Sequence, residues 1–222
     1  MTTTSGFEAE SERVARQLRD EIIDGRRRPG SRLVERELAA ELGVSRVPVR
    51  DALRMLVTEG LVTPRPRTWA VVRTLTPTDV EDLHEIRSAL EVLTFRLAAE
   101  RWDDAGLACL RADLDRQVAA ARSGDGVEAR RAAADFHESV TALAGNGLLS
   151  EIERLLHSRM RWMLGQHDDL MGVAREHEAL YEAIAARDLA RVQALATAHV
   201  AESFDEAIAY LAAIGNDGEG NG

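Results

Sequence analysis

Lysine is absent from this chain: all 28 basic residues are arginine, a trait of genome composition rather than of function. Cysteine occurs once, at Cys109, which excludes an internal disulfide framework. No apolar run is long enough to span a bilayer, and the opening MTTTSGFEAESERV lacks the charged-then-apolar order of a signal peptide. These absences lead us to expect a soluble cytoplasmic protein. At 222 residues the chain can form two modest domains or one large one, with a core that needs no staples.

What is present is organised around Leu33 to Val72. Leu38, Leu42, Val44, Val49, Leu53 and Leu56 recur at helical spacing, and Gly43 interrupts them where a short turn needs a left-handed backbone. The pattern predicts a helix-turn-helix, with small Ala39 allowing close approach and Ser45 placed to cap the second helix ahead of Pro48. Two short runs follow, Leu61-Val62-Thr63 and Ala70-Val71-Val72, and complete a winged helix. The second helix projects Arg46, Arg50 and Arg54 along one face. Arginine reads guanine bidentately in the major groove, so Arg46 and Arg50, nearest the helix N-terminus beside Ser45, are the base-reading candidates. Arg36, Arg65 and Arg67 are expected over phosphates or the minor groove. The alternative is a helical hairpin with a solvated arginine face.

The net charge of −10 divides along the chain. Residues 1–76 hold 14 Arg against 11 acids, giving +3, while residues 77–222 hold 14 Arg against 27 acids, giving −13. A positive head can meet phosphate while the acidic body disfavours non-specific binding.

In chain order, residues 1–7 are expected to be disordered, and residues 8–73 to form the winged helix-turn-helix, beginning with an amphipathic helix marked by Val14, Leu18, Ile22 and Ile23. Arg26-Arg27-Arg28-Pro29-Gly30 is a basic turn, either near DNA or simply solvated. Residues 74–76 form a linker. Thr76-Pro77-Thr78-Asp79 is a helix start with a cap, a first-turn proline and an early acid. From there to residue 215 the pattern predicts six helices, over 77–101, 104–122, 126–144, 147–164, 172–187 and 189–213, in an antiparallel bundle with room for a ligand. Residues 216–222 are expected to be a disordered tail. The fold class is thus mainly α.

His177 and His199 each stand 11 residues from Asp188, where the last two helices turn. At the helical rise both lie about 16 Å from that turn and can face each other. His137, in the middle of another helix, can join them. Converging neutral imidazoles suit zinc, nickel, manganese or a similar ion. Three unrelated histidines are the alternative, and His84, His157 and His167 have no such relation.

With these residues in view, Ser11 to Val72, centred on GVSRVPVRDALRMLVTEGLV, resembles the GntR family of bacterial winged-helix transcription regulators. The remainder resembles the FadR-like branch with a helical FCD effector domain, through Asp82-Leu83-His84-Glu85-Ile86-Arg87-Ser88-Ala89-Leu90-Glu91, Phe136-His137 with Ala144-Gly145-Asn146, the segment Glu176 to Ile184, and His199. The resemblance implies that Arg36, Arg46 and Arg50 contact operator DNA, and that a homodimer binds a palindromic site. It also implies that His137, His177 and His199 ligate a divalent ion together with an aspartate four residues before the first histidine. Here that position is Ala133, and Asp135, two residues from His137, points elsewhere on a helix. The wing differs too: Trp69 stands where the family has its tip glycine, either altering groove contacts or packing beneath the wing.

Family effectors are small metabolites, often carboxylates. Arg87 is the candidate anchor for one, or else an ordinary intrahelical partner of Glu91. The expected function is ligand-responsive transcription regulation, most often repression, and not catalysis. Two alternatives remain at this point, a metal-dependent enzyme using the three histidines and a constitutive architectural DNA-binding protein.

Overall fold

The computed structural model describes residues 9–65, 69–165 and 168–219, with residues 69, 164 and 214–219 given by backbone alone. The expectations placed on residues 1–7, Arg67, His167, the side chain of Trp69 and residues 220–222 lie outside what is described. Two compact units divide between Leu75 and Thr76.

The first unit opens with α1 (Glu10–Ile23), which buries Val14, Leu18 and Ile22 against α3 (Arg46–Thr58). Between them lie β1 (Arg32–Val34) and α2 (Glu35–Leu42). Gly43 ends α2 at φ 67°, the left-handed conformation its missing side chain permits. Ser45 holds the N-cap position of α3, but its side chain makes no capping hydrogen bond, contrary to the sequence-based expectation. The reason is local. The third residue of α3 is Pro48, which has no N–H to donate to a capping oxygen.

After α3 come β2 (Val62–Arg65) and β3 (Trp69–Val72), paired antiparallel with Thr63 opposite Val71. A third strand was not expected: β1 pairs with β3, Leu33 opposite Ala70, so β3 is central in the order β1-β3-β2. Pro64 lies on the edge strand β2, where the missing N–H breaks no ladder. Leu33, Leu38, Val49, Leu56, Val62 and Val72 close the core of this unit.

Among the described residues the second unit holds six helices: α4 (Pro77–Arg101), α5 (Asp104–Ser123), α6 (Gly126–Ala144), α7 (Gly147–Leu164), α8 (Leu170–Ala185) and α9 (Leu189–Glu219). Side-chain caps set most starts. The Thr76 hydroxyl accepts from the Asp79 amide while the Asp79 carboxylate accepts from the Thr76 amide, a reciprocal box at the head of α4. Asp103, Asn146 and Asp169 cap α5, α7 and α8. The last helix runs to Glu219, past the end at 213 read from the sequence and through part of the expected tail. Asn216 and Gly218 each cost a helix only about 1 kcal/mol or less, which weakens it without forbidding it.

Phe95 of α4 and Phe136 of α6 are fully buried among Leu110, Leu114, Leu180 and Ile184. Each such side chain contributes about 1.5–3 kcal/mol relative to exposure. The α8–α9 turn is fixed to the end of α4 by Arg187, at φ 54°. Its guanidinium donates to the carbonyls of Ala99, Glu100 and Trp102 and stacks on the Trp102 ring. A cation thus closes the negative end of α4 and holds in place the hairpin that carries His177 and His199. Among the described residues, no helix is long and apolar enough to cross a membrane.

Candidate functional site

The first unit presents the N-terminal turn of α3. Arg46 and Arg50 extend from it half-exposed, and both turn toward Glu35, the first residue of α2. Arg50 donates Nε to Oε1 at 3.0 Å and Nη2 to Oε2 at 2.9 Å, and Arg46 donates Nη2 to Oε2 at 3.2 Å. Hydrogen bonding from Arg50 above all holds the Glu35 carboxyl below its ordinary value. Arg54, on the same side, pairs with Asp51 at 3.1 Å.

Arg36 and Arg65 are exposed. Of the basic turn, Arg27 is held by Glu21 and Glu41 and Arg26 by Asp24. Val47, 64% exposed beside Arg46, was not singled out from the sequence. An exposed valine between the two base-reading candidates is a candidate contact for a thymine methyl.

In the second unit, α6, α8 and α9 bring His137, His177 and His199 together, with one nitrogen from each within 4.8 Å of the others. All three are buried. Each Nδ1 meets an oxygen on another helix: His137 with Glu91 at 2.6 Å, His177 with Gln117 at 2.8 Å, His199 with Glu176 at 2.7 Å. Oxygens of this kind accept, so each imidazole carries a proton on Nδ1 and leaves its Nε2 for the cluster. For His199 a second contact agrees, since the Arg87 guanidinium, which can only donate, lies 3.4 Å from its Nε2.

The Nε2 atoms of His137 and His199 are 3.3 Å apart. Two imidazole nitrogens at that distance can share a proton or a metal ion. A tetrahedral ion with metal–nitrogen bonds of about 2.0–2.1 Å sets its ligand nitrogens roughly 3.3–3.4 Å apart. The donor set and its outer partners therefore fit a divalent ion. Burial, followed by His137 and Arg87, pushes the His199 imidazole down to about 3, so it is neutral at physiological pH.

Ala133 is buried one turn before His137 and offers no ligand, and Asp135 instead pairs with Arg116 on the surface. Arg87 is buried and pairs with Glu91, Nε to Oε2 at 2.5 Å. This is the intrahelical alternative weighed above. One further atom bears on the anchoring reading: Arg87 Nη1 is buried and has no hydrogen-bond partner among the described residues. Burial would push the Glu91 carboxyl up, but Arg87, His137 and His199 together hold it below the usual carboxylate range.

A cleft of about 260 Å³ between α6 and α7 opens onto His137, past Glu138, Thr141, Arg154 and His157. Away from the cluster, the His84 ring lies tilted against Phe204 and His157 meets Glu138. Sequence spacing missed Glu35, Gln117 and Glu176, whose partners are distant in sequence. It noticed Glu91 only as a partner of Arg87.

Comparisons with known proteins follow the same division. The model of bacterial regulatory proteins of the gntR family matches residues 10–72, and the FCD domain model matches residues 82–202. The Nta operon transcriptional regulator of Aminobacter aminovorans is 33% identical over 187 residues, covering 83% of this chain and 88% of that protein. A probable D-xylose utilization operon transcriptional repressor of Paenarthrobacter nicotinovorans is 33% identical over 195 residues, covering 85% of this chain and 86% of that protein. Among solved structures, E. coli McbR/YncC superposes with a TM-score of 0.77 at 25% identity, covering 92% of this chain and 98% of that one.

Proposed function

Because the chain belongs to the gntR family of bacterial regulatory proteins and carries an FCD domain, we propose that it represses transcription by binding a palindromic operator as a homodimer, and that a small carboxylate bound in the helical unit relieves or sets that binding. The matched families and relatives are transcription regulators, so catalysis by the histidines has no support.

The observation that carries the reading is the inward Nε2 set of His137, His177 and His199, with every Nδ1 engaged. These three imidazoles would hold zinc, nickel or manganese, and such an ion supplies a Lewis-acid contact for one end of an anionic effector. Arg87 would anchor the other end. Its Nη1 is a buried donor whose lack of a partner costs about 1–3 kcal/mol, a cost an incoming carboxylate would remove. The cleft beside His137 is the proposed path of entry. In the head, Arg46 and Arg50 would read base edges, Ser45, Arg36, Arg65 and Arg67 would contact the DNA backbone or minor groove, and Val47 adds an apolar contact.

An effector changes operator affinity only by binding the DNA-competent and incompetent states unequally. For the dimer, Leu148, Ile152 and Leu155 lie at helical spacing on one face of α7, 67%, 37% and 65% exposed in a single copy. A second copy related by a two-fold axis would cover them.

Selection from a randomised 30-base-pair duplex pool, followed by titration of the selected duplex with small mono- and dicarboxylates in the presence of Zn²⁺, tests the reading. An enriched palindrome whose affinity falls or rises at least fivefold with one carboxylate supports it. Enrichment without any response to carboxylate or metal would leave a constitutive DNA-binding protein.

A further inference from the structure

A surface that meets phosphates does not ordinarily keep an acid among its arginines, since that acid repels the ligand. Yet Glu35, only 6% exposed, sits beneath both base-reading candidates and accepts three charge-assisted hydrogen bonds from them. It also lines a cleft between α3 and the wing, together with Arg50, Arg54 and Arg65.

The geometry of the contact distinguishes holding an arginine from blocking it. A guanidinium has two bidentate edges, Nε with one Nη, and the pair of Nη groups. Glu35 occupies the Nε/Nη2 edge of Arg50 and leaves Nη1 and the outer hydrogen of Nη2 pointing away. That outer edge presents two parallel N–H donors, the pattern that pairs bidentately with O6 and N7 of a guanine. Arg46 gives Glu35 a single Nη2 hydrogen bond and keeps its remaining donors. Both side chains are otherwise exposed and long, with about 2 kcal/mol of rotamer entropy each to lose on binding. A carboxylate that fixes them beforehand lowers that cost for the one arrangement it supports and for no other.

We propose that Glu35 is a specificity-determining positioning residue: its buried carboxylate sets the guanidinium groups of Arg46 and Arg50 in a fixed relation, so that they address two base edges rather than whichever phosphates are nearest. The proposal rests on the reading of Arg46 and Arg50 as DNA-contacting groups. Its corollary concerns non-specific binding. With Glu35 neutralised the head gains one unit of positive charge and two mobile arginines, and sequence-independent binding becomes tighter and more salt-sensitive.

The test uses the full chain and two duplexes, one selected by the wild type from a random 30-base-pair pool and one a scrambled version of it. Affinities are measured across a salt series for wild type, Glu35→Gln, Glu35→Asp, Arg46→Ala and Arg50→Ala, with thermal unfolding of each. The expected result for Glu35→Gln is a loss of roughly tenfold or more in the selected-to-scrambled affinity ratio, with scrambled binding unchanged or tighter and its salt slope steeper by about one. Glu35→Asp keeps the charge but is one methylene shorter. It is expected to bind scrambled DNA as the wild type does and still lose part of the ratio. If Glu35→Gln fails to fold, Glu35→Asp decides alone.

An unchanged ratio in the Glu35 variants, or equal tightening on both duplexes, overturns the proposal in favour of simple charge repulsion. A parallel weakening on both, tracking a fall in unfolding temperature, reduces Glu35 to a structural role and likewise overturns it. If the wild type enriches no sequence, or Arg46→Ala and Arg50→Ala bind the selected duplex as it does, the assignment of the arginines fails first and the proposal fails with it.

Discussion

His137 and His199 face each other through Nε2 atoms 3.3 Å apart, each with its Nδ1 held from behind by a glutamate. The rear contacts hold a proton on each Nδ1 and leave the two Nε2 atoms close enough to share a proton or a metal ion. The two residues are 62 positions apart, and the relation exists only because α6 and α9 both pack on α4.

Ala133→Asp is the sharpest substitution at this site. The residue is buried one turn before His137, on the same face of α6, so an aspartate there brings a carboxylate to the imidazoles. Without an ion that charge is buried and unpaired, and the protein is expected to lose a few kcal/mol of stability. With Zn²⁺ the affinity is expected to rise on the order of tenfold or more. Calorimetric titration and unfolding with and without metal check both signs; an affinity equal to the wild type's would contradict the placement.

Arg87 and Glu91 form a buried pair, so removing one partner costs more than removing both. Arg87→Met or Glu91→Leu alone should destabilise the helical unit by about 3–5 kcal/mol, and the double variant by clearly less than the sum. Urea unfolding of the four proteins measures the cycle. Strict additivity would mean that the pair is not coupled in solution.

The buried imidazole of His199 also predicts an acid dependence. Its folded value of about 3 lies below the ordinary 6.5, so as pH falls below 6.5 the unfolded chain takes up a proton that the folded one refuses. Glu91 acts in the same direction, its stabilising charge being lost as pH falls through and below the ordinary carboxylate value. Metal-stripped protein should therefore lose stability between pH 6.5 and 4.5 with a contribution from His199 of up to about 1.4 kcal/mol per pH unit. His199→Asn should flatten that part of the profile. A wild-type profile already flat there would contradict the burial.

For the assembly, Leu148→Glu with Leu155→Glu places two charges on the exposed apolar face of α7. Light scattering is expected to show a dimer for the wild type and a monomer for this variant, with unfolding temperature lowered only by the lost association, since neither side chain is in the core of the single chain. A dimeric variant would move the interface elsewhere.

Local chemistry made much of the fold readable. Gly43, the Thr76-Asp79 box and the caps at Asp103 and Asn146 are near-neighbour effects, and the helix boundaries they set lie where the spacing puts them. Strand β1 was not readable, because three residues carry no periodicity and their partner, Ala70, is 37 positions from Leu33. The imidazole triad was suggested by symmetry about Asp188 and by family resemblance. Its outer shell was not, because Gln117 and Glu176 become partners of His177 and His199 only through packing. Glu35 escaped for the same reason: on the page it is one acid among many in α2, and only the turn at Gly43 folds it under Arg46 and Arg50.

Elemental analysis of untagged protein purified without chelator, beside His137→Ala, decides whether the three imidazoles hold a metal ion. About one equivalent of zinc, nickel or manganese per chain in the wild type, lost in the variant, is the predicted result. No bound metal in the wild type, even after each ion is added back and the excess removed, would contradict it.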